Sequence, residues 1–330
     1  MTAPRSKNRQ YRPTGGAPCW RAILALVLLV WAAIAQAQVS NHATPIPSYQ
    51  TSLLIAGSGN VPFNTRFTAL LKERLGPAVE VLPYTAELSQ ARPETLVIAL
   101  GPQAMSRVQR QQPRPPTLAL MVTEDQFAGY SSRQGAPLSA VYHNPPLLHQ
   151  ALLGQMILPQ STRVALLVQP GEEAAFDGLI EQLAGFGLQA RIFIVEGDDS
   201  LIATLSRALG YGDFLLAQPD SVIYNPRTIK HILLTAYRRN RIVIGPNRAF
   251  VNAGALASIY TPISTVIDEA VAALQAYQAT GKLPAPDYPD LIAVEVNQQV
   301  ARSLNIPLPD TAYLTERLNQ QLRQGKEGSE

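Results

Sequence analysis

Short runs of this chain are apolar at every position rather than at alternate ones, for example Leu96-Val-Ile-Ala-Leu100 and Val164-Ala-Leu-Leu-Val168. A strand wetted on one side alternates; one that is apolar throughout is buried on both faces, as in a parallel sheet covered by helices. The pattern predicts strands over 53–56, 79–82, 95–100, 117–122, 164–169, 191–195, 214–217, 241–244, 256–260 and 292–296. Between them lie stripes at helical spacing. Phe176, Leu179, Ile180, Leu183 and Phe186 form one, closed by Gly187; Ile263, Val266, Ile267, Ala270, Val271, Leu274 and Tyr277 form another, closed by Gly281; Ile229, Ile232, Leu233, Ala236 and Tyr237 form a third. Strand–helix alternation of this kind predicts an α/β fold with parallel sheets and right-handed crossovers.

The rhythm breaks near the middle. An irregular stretch, 123–137, is followed by an apolar run at 138–143 and a helix expected over 145–157. Alternation restarts at Thr162, which predicts two Rossmann-like lobes with ligands held at the carboxyl ends of their strands.

Ahead of the first strand, Arg21 is followed by an apolar run from Ala22 to Ile34 and then by Ala35-Gln36-Ala37. Basic flank, short apolar core and small-x-small site read as an export signal over 1–37, cut after Ala37, with a polar, Pro-interrupted leader at 38–51. The run is too short for the ~20 residues a spanning helix needs. The formal charge of +3 includes Arg5, Lys7, Arg9, Arg12 and Arg21 of that segment, which has no acidic residue; without those five it becomes −2. The basic character therefore belongs to export, and a nucleic-acid partner has no electrostatic support. Cys19, the single cysteine, leaves with the signal, so packing alone holds the mature chain.

Four segments in order carry a family resemblance: Ile157-Leu-Pro-Gln-Ser-Thr-Arg-Val-Ala-Leu-Leu-Val-Gln-Pro170, Phe214-Leu-Leu-Ala-Gln-Pro-Asp220, Asn252-Ala-Gly-Ala-Leu-Ala-Ser258 and Val296-Asn-Gln-Gln-Val-Ala-Arg-Ser-Leu-Asn-Ile-Pro-Leu-Pro309. They resemble ABC transporter substrate-binding proteins of the tryptophan/tyrosine type, with the type I periplasmic-binding-protein fold. The resemblance implies an N-terminal lobe of 52–143 plus 257–284, a C-terminal lobe of 144–256 plus 285–330, and a three-segment hinge that closes on a small, amino-acid-like molecule. It also implies a periplasmic location, no catalysis, no cofactor, and a membrane ABC permease as partner. At Leu100-Gly-Pro-Gln-Ala104 and Val122-Thr-Glu-Asp-Gln126 the chain departs from the family's threonine-rich and threonine-aspartate-proline turns. Those departures keep open an alternative partner, a sensor histidine kinase or outer-membrane receptor.

Candidate ligand residues sit just after strands. In Gly57-Ser-Gly-Asn-Val-Pro62, Pro62 stands where a dinucleotide fingerprint needs its third glycine. Ser58, Gly59 and Asn60 either meet a ligand carboxylate through the turn's N–H groups and the Ser58 hydroxyl, or form a plain tight turn. In the family reading Asp220 holds a ligand ammonium; otherwise it caps the next helical turn. Gln103, Thr123, Glu124, Gln169 and Asn247 occupy equivalent places on other strands. Tyr84, Tyr142 and Tyr224 are either an aromatic wall or ordinary packing. His42, His143, His149 and His231 show no metal-ligand spacing, and Glu172-Glu173 reads as a helix start.

Overall fold

The computed structural model describes residues 51–131, 135–289 and 291–327, all within the compact unit Tyr49–Glu330. The expected signal and most of the leader lie outside the described residues. Thr51, expected in that leader, instead opens the first strand.

The first lobe runs β1 (Thr51–Ala56), α1 (Val61–Leu75), β2 (Val79–Pro83), α2 (Ala86–Ala91), β3 (Val97–Leu100), α3 (Pro102–Gln109), β4 (Thr117–Val122), α4 (Glu124–Ser131) and β5 (Leu138–Tyr142). Its five strands pair in the order β2-β1-β3-β4-β5, all parallel. β3 is buried along its whole length, as its unbroken apolar sequence requires. The second lobe begins with α5 (Leu147–Ile157), β6 (Arg163–Val168), a 3-10 turn at Glu173–Phe176 and α6 (Asp177–Gly185). It continues with β7 (Gln189–Ile194), α7 (Asp198–Tyr211), β8 (Phe214–Leu216), α8 (Ile229–Arg238), β9 (Ile242–Gly245), α9 (Arg248–Ala253) and β10 (Ala257–Tyr260). Helix α10 (Ile263–Thr280) leads to β11 (Ala293–Val296), α11 (Gln298–Ser303) and α12 (Thr311–Glu327). The second sheet has the order β11-β10-β9-β8-β6-β7.

The structure has two lobes of α/β construction, with differences from the expected plan. Strand β11 runs antiparallel to β10, so the second sheet is mixed. The stretch 123–137, expected to be irregular, contains α4. Residues 257–260, expected in the first lobe, form β10 in the second sheet, so the chain crosses back at Thr261-Pro262. The third crossing comes later than expected too: the Tyr142 N–H donates to the Asp287 carbonyl at 3.0 Å, and the Asp287 N–H donates to Ala140 at 3.2 Å. Segment 287–288 therefore still borders β5.

Each sheet is covered on both faces. On the first, Phe67 and Leu71 of α1 and Val266, Ala270 and Leu274 of α10 pack on one side, and Met105, Val108 and Phe127 of α3 and α4 on the other. The α10 stripe thus belongs to the first core although strands of the second lobe flank it in sequence. Gly281 ends that helix at φ 69°, a left-handed conformation that suits glycine, and its N–H donates to the Tyr277 carbonyl at 2.8 Å. On the second sheet α5, α6, α11 and α12 cover one face, and α7 and α8 the other. No helix among the described residues is long and apolar enough to cross a membrane.

Candidate functional site

In an open α/β sheet the crevice opens where the strand order reverses, because the two connecting helices leave toward opposite faces. In the second sheet that point lies between β6 and β8. Gln169 follows β6, and Gln218 and Asp220 follow β8; all three line a cleft of about 870 Å3. Thr123–Gln126, at the end of β4, forms its first-lobe wall. The crossing segment Asn144-Pro145-Pro146 and Tyr288 close the hinge side. Phe176, Leu179, Leu147 and Leu148 supply apolar surface.

Hydrogen bonds fix the polar groups. Asp220 Oδ1 accepts from the N–H of Val222 at 2.6 Å and of Ile223 at 3.2 Å, while Oδ2 accepts from Gln169 Nε2 at 3.2 Å. The capping reading and the cleft reading therefore coexist on one carboxylate. Thr123 and Gln126 form a reciprocal capping box: Thr123 N–H donates to Gln126 Oε1 at 3.1 Å, and Gln126 N–H donates to Thr123 Oγ1 at 3.3 Å. The box presents Glu124 and Asp125 on the first turn of α4. The Tyr288 hydroxyl donates to Glu124 Oε2 at 3.0 Å. Burial, and then that neighbouring carboxylate, push the Tyr288 hydroxyl pKa up, so it remains a donor.

Of the residues expected in the site, Thr123, Glu124, Gln169 and Asp220 line the cleft together. Ser58, Gly59, Asn60 and Gln103 gather elsewhere, at the carboxyl edge of the first sheet, where a Cβ placed on Gly59 would lie 3.8 Å from Gln103 Oε1. Donors of that turn are engaged internally. Ser58 N–H and Oγ donate to Asn64 Oδ1 at 3.0 and 2.8 Å, Asn60 N–H donates to Ser58 Oγ at 3.2 Å, and Asn60 Oδ1 caps Phe63 N–H. Asn247 caps α9 by accepting from the Ala249 N–H at 3.0 Å. Tyr84 is bonded to Gln111, Tyr142 packs between Phe127 and Tyr288, and Tyr224 packs on Phe250; none of these three lines the cleft.

Three cleft residues carry no strong mark in the sequence. Glu172, read as part of a helix start, lines the second-lobe wall. Tyr288 arrives from a segment distant in sequence. Gln150, on the first turn of α5, lines the cleft while only 1% exposed. A glutamine on the first turn of a largely apolar helix, Leu147-Leu-His-Gln-Ala-Leu-Leu, is the available signal for the last.

His143 lies in the first crossing, and its Nδ1 is buried without a hydrogen-bond partner. Burial lowers its pKa from the usual 6.5. The unfolded chain then takes up a proton near that value while the folded chain does not, so stability present above it is lost as pH falls through it. Replacing His143 by Gln should flatten this part of the curve, seen as a smaller drop in urea midpoint between about pH 7.5 and about pH 5.5. An unchanged drop would place the titration elsewhere. Among the described residues no group of His, Cys, Asp or Glu has the arrangement of a metal site.

No protein-family model matches the sequence, and no curated protein matches it as a relative. Solved structures do match. A ligand-free, open substrate-binding protein with adhesive properties from Clostridium difficile aligns with a TM-score of 0.64 at 14% identity, over 79% of this chain and 96% of that one. An ABC domain from Streptococcus pneumoniae in complex with L-Trp aligns with a TM-score of 0.53 at 13% identity, over 80% and 97%. A conserved domain protein from Vibrio cholerae gives 0.53 at 15%, over 80% and 98%. The fold is the two-lobed, periplasmic-binding-protein-like type I fold. Identities this low speak to architecture, and the site must be argued from its own residues.

Proposed function

We propose that this chain is an exported solute-binding protein that captures a small molecule between its lobes without chemical change. One observation carries the reading: a cleft of about 870 Å3 walled by both lobes and backed by the segments that join them. Its volume suits a solute of amino-acid size with room for water. Three short crossings, at 143–146, 261–262 and after 288, let the lobes rotate about a common hinge. The export signal places capture in the periplasm, and the partner that receives the solute is a membrane ABC permease. The similar protein described as substrate-binding, and the similar ABC domain solved in complex with L-Trp, support the same role.

The test uses full-length protein, unfolded, dialysed free of copurified solute and refolded. A broad panel of amino acids, amines, sugars and organic acids is screened by thermal shift, and hits are taken to X-ray scattering. A bound solute at ~100 times its dissociation constant should stabilise the protein by about 2.7 kcal/mol. The radius of gyration should fall on binding as the lobes close. Stabilisation without compaction would leave a binding site but not a closing one; no hit across the panel would defeat capture altogether.

A further inference from the structure

We infer that the cleft selects an organic cation, a solute bearing ammonium or guanidinium groups and no carboxylate. This rests on the capture reading above and names the class of solute. The first observation is charge. Glu124 and Asp125 line the cleft from the first lobe, Glu172 and Asp220 from the second, and among the described residues no Lys, Arg or His lines it. Closing the lobes brings these carboxylates toward one another in a medium that screens them less than water does. Without a cation between them closure is opposed; with one it is favoured. A ligand can shift such an equilibrium only by binding the closed state better, and the solute's positive charge supplies that difference.

The second observation is independent of charge. Gln218 is 7% exposed and lines the cleft, and its Nε2 donates to the Leu167 carbonyl at 3.2 Å. With Nε2 so engaged, Oε1 is the group that this side chain offers a solute. Two further donors are engaged within the wall: Gln169 Nε2 on Asp220, and the Tyr288 hydroxyl on Glu124. What these side chains present to a guest is acceptor oxygen. An ammonium or guanidinium group satisfies such a set with charge-assisted hydrogen bonds.

A solute carboxylate finds the reverse. The turn after β1 is off the cleft, and its Ser58 and Asn60 N–H groups are already bonded to Asn64 and Ser58. Arg107, beside it, donates to the Gly57 carbonyl at 2.9 Å. A carboxylate brought into the cleft would face four of its own kind, and desolvating it there is unfavourable.

The deciding experiment titrates the refolded full chain calorimetrically with matched pairs: agmatine against arginine, tyramine against tyrosine, putrescine against adipate. The expected result is that at least one amine binds about tenfold or more tighter than its carboxylate-bearing partner. Its affinity should fall as salt rises from about 50 to about 300 mM. Glu124→Gln, which keeps an acceptor for Tyr288, should weaken that amine several-fold while leaving the melting temperature of the free protein within a degree or so. Arginine, tyrosine or adipate bound as tightly as the amine, or a neutral solute found instead, overturns the cation proposal while capture stands. Failure of these probes and of the broad panel together overturns both.

Discussion

Replacing Phe214 by Ala should destabilise the protein by about 3–5 kcal/mol, at the upper end for a single core truncation. Phe214 is 1% exposed and begins β8, a strand in the interior of the six-stranded sheet. Its ring lies against the backbone of Gly154 in α5: a Cβ placed on that glycine would be 2.8 Å from Cε2 and 2.8 Å from Cζ of the ring. Removing the ring leaves a void whose far wall is helix backbone. The helix cannot sink into it without breaking its own contacts with β9 and β10, so little of the cavity closes. For a chain of this size the melting temperature should fall by roughly 10 °C. The same contact predicts a reciprocal effect. Gly154→Ala should cost about 1–3 kcal/mol alone, because the new methyl has no room beside the ring. With Phe214→Leu already present it should cost measurably less, a coupling that a double-mutant cycle in urea reads directly. Strict additivity of the two changes, or a loss of under about 1 kcal/mol for Phe214→Ala, would show that the sheet and α5 reorganise freely.

That contact could not be read from the sequence, although both elements could. Val164–Val168 and Leu96–Leu100 announce buried parallel strands because water on either face would have imposed alternation. The stripe from Ile263 to Tyr277 announces its helix for the same reason of burial on one side. Helix α4 was hidden because Glu124-Asp-Gln-Phe-Ala-Gly-Tyr-Ser buries chiefly Phe127, too little for a stripe; the Thr123–Gln126 capping box was the signal available instead. Strand β11 could not declare its direction. Ala293–Val296 has the composition of its neighbours, and its antiparallel run follows from the route by which the chain returns from the first lobe. The site divides in the same way. Gln169 and Asp220 are legible because they are polar residues that follow plainly apolar strand runs; that those strands flank a reversal in strand order appears only in the structure. Tyr288 and Glu172 reach the cleft by tertiary placement that no local pattern encodes. Ser58 and Asn60 have the residue types of an anion-binding turn, but Asn64, one helical turn on, engages the Ser58 N–H group first.

Gln150→Leu should cost about 1–3 kcal/mol, because it leaves the buried Ile259 N–H without a partner and takes one of two donors from the Ile259 carbonyl, which keeps the Ser258 hydroxyl at 3.0 Å. The parallel ladder between β9 and β10 pairs Ile244 with Ala257 and Gly245 with Ser258, and there it stops. The next residue on the β9 side is Pro246, which has no N–H to offer. Ile259 would face it with its N–H unsatisfied and its carbonyl held only by the Ser258 hydroxyl at 3.0 Å. Gln150 takes the missing strand's place: its Oε1 accepts from the Ile259 N–H at 2.8 Å, and its Nε2 donates to the Ile259 carbonyl at 2.9 Å and reaches that of Pro246 at 3.4 Å. Leucine has similar bulk and no polar atom, so packing survives while the ladder's continuation is lost. The consequence extends to the hinge. Gln150 stands on α5 just beyond the first crossing, and Ile259 lies two residues before the second, so one side chain ties together two of the three segments about which the lobes turn. The Ile259 amide should accordingly lose protection against hydrogen exchange by far more than amides of β3 in the other lobe, and solute affinity should fall because the hinge now samples more geometries than the closed state can use. If that amide remains protected and the urea midpoint moves by less than about 1 kcal/mol equivalent, water from the cleft has replaced the amide, and Gln150 is a convenience of packing rather than the pin of the hinge.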